Sequence, residues 1–116
     1  MTELSDRATR AAKNQSLFRE INERIESLNE AFGDMLPVSE WVCECADDTC
    51  VERIVMTVEA YEKIRAHPAR FPILAGHEVP VVEKIVERHN GYVVVEKLGE
   101  AKTIATSLDP RSDGSP

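Results

Sequence analysis

The chain has 116 residues, a net charge of −7 and a sequence pI near 5.0. That length holds one domain, or one domain with an arm. A quarter of the residues are Leu, Ile, Val or Phe, which excludes disorder throughout, and the acidic balance excludes nonspecific grip on nucleic-acid phosphates. No apolar run reaches 18 residues, and residues 1–14 are polar with no apolar core of a secretory signal. A cytoplasmic protein with no membrane partner is expected. An odd cysteine count in a reducing compartment argues against a disulfide scaffold. Phosphate-cradling glycine patterns, Gly-x-Ser-x-Gly and His-Glu-x-x-His are absent.

Residues 3–32 read as one long helix. Thr2 or Ser5 caps its start, Gly33 follows its last apolar residue, and neither Pro nor Gly interrupts it. Leu4, Ala11, Phe18, Ile21, Ile25, Leu28 and Phe32 occupy a and d heptad positions, with Arg7 and Asn14 as polar exceptions. Such a seam either packs on the helix's own domain or serves another chain, as a self-associating coiled coil or a helix laid on a protein partner. Phe18, Ile21, Ile25 and Leu28 are the candidate partner-binding residues.

The organisation predicted is a helix over 1–33, a Pro37-bearing linker over 34–39, a metal-braced domain over 40–108 and a disordered tail over 109–116. The fold class is α+β, with about four strands and two helices in the small domain. Residues 40–45 read as a strand, 47–49 as a turn and 51–56 as its hairpin partner. Thr57 caps a helix over 58–66, which Pro68 ends. Residues 71–75 form a third strand that Gly76 breaks. Pro80 opens a helix through His89, closed by Asn90-Gly91. Residues 92–98 form a further strand, and 102–108 an edge strand.

The most informative stretch is Trp41-Val-Cys43-Glu-Cys45-Ala-Asp-Asp-Thr-Cys50. Residues two apart on a strand share a face, so Cys43 and Cys45 present two sulfurs together, and the turn can return Cys50 to them. Three thiolates suit Zn²⁺, which takes four N or S ligands in a tetrahedron and is favoured over iron by such a set. The fourth ligand is expected to be a histidine. His67 and His89 fall at predicted helix ends, where capping explains them. His77 sits in a loop and can be aimed freely, with Glu78 beside it to orient the imidazole. Trp41 shares the cysteine face by alternation and reads as a core or subunit contact. Glu40, Glu44, Asp47, Asp48 and Glu52 read as a solvated acidic turn, or as a patch for a basic partner. The competing readings of the cysteines are small buried hydrophobes and a redox pair.

A wider set of residues joins this cluster. Arg10, Asn14, Phe18-Arg19 and Asn22-Glu-Arg-Ile25 lie on the helix. Cys43-Glu-Cys45, Cys50, Tyr61-Glu62, Gly76-His-Glu78 and Asp109-Pro-Arg111 follow in order. Together they resemble a family of small cytosolic proteins of high-GC Gram-positive bacteria, over roughly 10–111. The family's usual Arg-Asn is Lys13-Asn14 here, which keeps the charge. The resemblance implies a stand-alone protein and marks Cys43, Cys45, Cys50, His77 and Glu78 as its chemistry-bearing positions. It supplies no reaction.

Three functions are compatible with these residues. The best supported is a non-catalytic regulatory or adaptor protein, braced by zinc and docking a partner through the helix. A thiol or zinc redox sensor uses the same residues. A zinc enzyme with His77 or Glu78 as base ranks last, because three thiolates blunt the metal's power to acidify water.

Overall fold

A 30-residue stretch free of Pro and Gly folds as one helix, α1 (Glu3–Phe32). The computed structural model describes residues 3–32, 39–47 and 49–111, and within α1 the side chains of 13–28. The predicted linker at 34–38 lies outside the described residues. Ser39, its last position, begins strand β1 (Ser39–Val42), which pairs antiparallel with β2 (Arg53–Met56). Helix α2 (Val58–Arg65) starts where expected, with the Thr57 hydroxyl accepting from the Ala60 amide at 2.9 Å.

The second sheet departs from the sequence reading in two places. Its strands are β3 (Arg70–Ile73), β4 (Glu83–His89) and β5 (Tyr92–Lys97), antiparallel throughout in the order β3-β5-β4. The predicted helix over 80–89 is therefore a strand from Glu83 on. Asn90-Gly91, read as a helix stop, is the turn of a β4–β5 hairpin in which His89 pairs Tyr92. Gly91 takes φ +92°, a conformation that glycine adopts without cost. The helix-like spacing of Val82, Ile85, Val86 and His89 arises from a register shift between Ile85 and Glu87, which interrupts strict alternation.

The predicted edge strand over 102–108 is instead helix α3 (Gly99–Ser107). Thr103, Ile104 and Thr106 favour a strand locally. Burial decides otherwise: Ala101 and Ala105, four apart, are buried on one helical face where α3 packs against α1 and β5. The α+β class holds, with five strands in two small sheets among the described residues.

Strand β5 lies at the centre and is buried on both faces. Tyr92 and Val94 join Trp41, Ile54, Met56, Tyr61 and Ile64 in one core, while Val93 and Val95 join Cys43, Cys45, Phe71 and Ile73 in another. That two-sided burial explains the unbroken Val93-Val94-Val95 run.

The residues assigned to a tail from 109 onward are partly built in. Asp109 is buried and its carboxylate accepts from Arg65 Nη2 at 2.6 Å. Arg111 ties α1 to α2, donating to Glu23 and Glu26 on one and to Glu62 on the other at 2.5–3.0 Å. Residues 112–116 lie outside the described part. No helix among the described residues is long and apolar enough to cross a membrane.

Candidate metal centre

Strand β1 ends at Val42, and the chain then leaves β2 to run beside β3. The Cys43 amide still bonds Glu52 O at 3.1 Å, but the Glu44 amide bonds Pro72 O at 2.9 Å. This change of partner separates Trp41 from the cysteines. Trp41 stacks on Tyr61, with ring centroids 4.2 Å apart, and its indole donates to Met56 O; Cys43 and Cys45 face the other core. Trp41 is thus a core residue, as one of its readings had it, but not a neighbour of the sulfurs.

A short turn then brings Cys50 back. The Asp47 carboxylate accepts from the Thr49 amide at 2.9 Å and the Thr49 hydroxyl at 2.7 Å, and the Cys50 amide donates to Asp47 O. Those bonds to Thr49 hold the Asp47 carboxyl below its usual range.

His77 arrives from the loop after β3, whose reversal uses Gly76 at φ +93°. The His77 amide donates to Leu74 O, and Val79 N donates to the buried Glu83 carboxylate. Glu78 was expected to orient the imidazole. Its carboxylate instead accepts from the Gly76 amide at 2.9 Å, bracing the loop backbone.

The sulfurs of Cys43, Cys45 and Cys50 and a ring nitrogen of His77 lie within 4.8 Å of one another, close enough to bind a metal ion. His77 Nδ1 is 3.7 Å from Cys43 Sγ and 3.8 Å from Cys50 Sγ. Cys43 and Cys45 are buried, and Cys50 and His77 half-buried, so the site is partly accessible to solvent. The Leu74 amide points at Cys43 Sγ from 3.3 Å, a donor that favours thiolate. Without a cation the sulfurs share their protons unequally. The hydrogen bond from Cys43 draws Cys45 down to about 5, the same bond and burial drive Cys43 up, and burial raises Cys50. A dication that takes all three as thiolates must displace the protons of Cys43 and Cys50.

The other two histidines are placed elsewhere. His67 follows α2, its amide bonding Ile64 O, while His89 ends β4, stacked on Tyr92 and 2.7 Å from Glu87.

The acidic turn needs a correction at Glu44. It is fully buried, not solvated, and its carboxylate accepts from Arg19 Nε (3.0 Å), Asn22 Nδ2 (2.8 Å) and Tyr61 OH (2.9 Å). Arg19 also donates to Pro68 O and Arg70 O and lies 3.8 Å over the Phe71 ring. The face that α1 turns inward is therefore mostly polar: Gln15, Arg19, Asn22 and Glu26 are buried on it, with Phe18. The heptad seam splits. Phe18 is buried and Ile25 packs against the core, whereas Ile21 (40% exposed) and Leu28 (61%) face solvent beside Leu17 (53%). A partner can reach Ile21 and Leu28 but not Phe18. The 15, 19, 22, 26 spacing of long polar residues was the available sign of the buried face.

No family model, curated protein or solved structure matches the chain.

Proposed function

We propose that the chain is a non-catalytic zinc protein of regulatory or adaptor type, in which Cys43, Cys45, Cys50 and His77 hold one Zn²⁺ and α1 presents its outer face to a protein partner. The convergence of four soft donors on one point supports this most directly. A tetrahedral zinc with arms of about 2.0–2.3 Å has edges of roughly 3.5–3.8 Å. The two sulfur-to-His77 distances, 3.7 and 3.8 Å, fall within about 0.3 Å of the sulfur–nitrogen edge, the shorter end of that range. Four protein ligands leave no position for a reacting water, which favours a bracing role over catalysis. The exposed stripe Leu17, Ile21 and Leu28, flanked by Glu20 and Arg24, is the surface offered to a partner or a second copy.

Native mass spectrometry of wild type and His77→Ala tests the reading. About one zinc per chain, held more weakly by the variant, is expected. A folded, metal-free wild type after zinc addition discards it. The half-buried position of Cys50 supports a second reading, a thiol sensor in which peroxide converts two thiolates to a disulfide and frees the metal. Retention of zinc through mild peroxide eliminates that reading.

A further inference from the structure

The metal donors and the docking of α1 use opposite sides of one short stretch, residues 42–46. Cys43 and Cys45 face the second core and the site, and Glu44 between them faces α1. Helix α1 binds the backbone of the same stretch. Asn22 accepts from Val42 N at 2.8 Å and donates to Val42 O at 2.9 Å, as a neighbouring strand does. Gln15 donates to Glu44 O at 3.1 Å, and Asn14 to Ala46 O at 2.8 Å. Residues 42, 44 and 46 are thus met in turn by one helix face.

These contacts require one conformation of the stretch. Beyond Val42 it belongs to no strand: its own amides make single bonds to Glu52 and Pro72, the Leu74 amide reaches Cys43 Sγ, and the Cys43 and Cys45 side chains pack in the second core. A common ion on Cys43, Cys45, Cys50 and His77 fixes the alternation that aims Glu44 at Arg19 and Asn22. Phe18 is the one buried apolar side chain among the described residues 13–28 of α1, Ile25 packs half-buried against the core, and the rest of the inward face is held by directional polar bonds. Such bonds are replaced by water once their geometry is lost.

We propose that metal occupancy controls the docking of α1: the bound ion orders residues 42–46, and its loss releases the helix while the β3–β5–β4 sheet persists. The proposal rests on the metal reading above. Because coupling between two equilibria is reciprocal, docking of α1 also tightens the ion.

Hydrogen-exchange mass spectrometry of the full chain, zinc-loaded, chelated and reloaded, tests this. Peptides spanning residues 14–28 are expected to exchange about ten-fold faster or more after chelation and to recover on reloading, with β3–β5 peptides still protected. Zinc affinity gives the reciprocal arm. Asn22→Ala, which removes no ligand, is expected to weaken zinc binding by about ten-fold. If that variant does not fold, Asn14→Ala, which removes one bond to Ala46 O, is expected to weaken it measurably. Unchanged α1 exchange on chelation overturns the proposal. So does simultaneous exposure of α1 and the sheet, and so does wild-type zinc affinity in the folded variants. Failure of the metal reading is distinct, since the wild type then binds no zinc.

Discussion

Replacing Arg19 by Met leaves the Glu44 carboxylate buried with only neutral donors, Asn22 and Tyr61, around it. Three donated bonds disappear, to Glu44, Pro68 and Arg70, and the stack over Phe71 loses its charge. Breaking one side of a buried ion pair costs about 3–5 kcal/mol, most of it the penalty of the uncompensated charge. With a urea dependence of roughly 1.5 kcal/mol per molar, the unfolding midpoint falls by about 2–3 M. The assay is urea unfolding followed by Trp41 fluorescence, at one fixed zinc concentration because bound metal adds to apparent stability. Glu44→Gln in the Arg19→Met background removes the stranded charge, so the double variant is expected to lose less than the sum of the singles, by about 1 kcal/mol or more. A loss below about 1 kcal/mol for Arg19→Met, or strict additivity, refutes the claim that this pair is a buried structural tie.

Asp109→Ala leaves Arg65, whose side chain is fully buried, paired with the Glu23 carboxylate, and an unfolding cost of about 3 kcal/mol is expected by the same denaturation assay. Burial and the neighbouring Glu62 carboxyl push Glu26 up to about 8 against Arg111, which pulls the other way. The folded state therefore keeps a proton that the unfolded chain gives up. Glu26 contributes stability below about pH 4.5 that is lost as the pH rises through about 8. Stability-versus-pH curves should show this decline for wild type and a flatter course for Glu26→Gln between pH 5 and 8. Leu17→Asp with Leu28→Asp, on the exposed stripe, should change stability by no more than about 0.5 kcal/mol and leave zinc affinity unchanged, measured by unfolding and metal titration.

Local chemistry carried far along this chain where it was unambiguous. Residues 3–32 contain nothing that stops a helix, Thr57 is a self-sufficient cap, and C-x-C-x4-C confines three sulfurs whatever the surrounding fold. The loop after β3 places His77 with them because Gly76 allows the reversal. Tertiary pairing decided what local preference could not. Residues 83–89 are good helix formers by composition, yet β5 takes them as its partner across Asn90-Gly91. Residues 99–107 contain β-branched residues, yet Ala101 and Ala105 allow close approach to α1. The inward face of α1 was hidden for a different reason. Hydrophobic periodicity locates a buried face only when burial is apolar, and here Gln15, Arg19 and Asn22 are buried against Glu44, the residue between two cysteines, and Glu26 against Arg111. An acid in a charged turn and an acid in a core look alike until their partners are known.

X-ray absorption at the zinc edge of the reconstituted full chain reads the ligands of the bound ion themselves. Three sulfurs at about 2.3 Å and one nitrogen at about 2.0–2.1 Å are expected, with the nitrogen replaced by oxygen in His77→Ala. A first shell of mostly oxygen or nitrogen, or a spectrum unchanged in that variant, contradicts the metal reading.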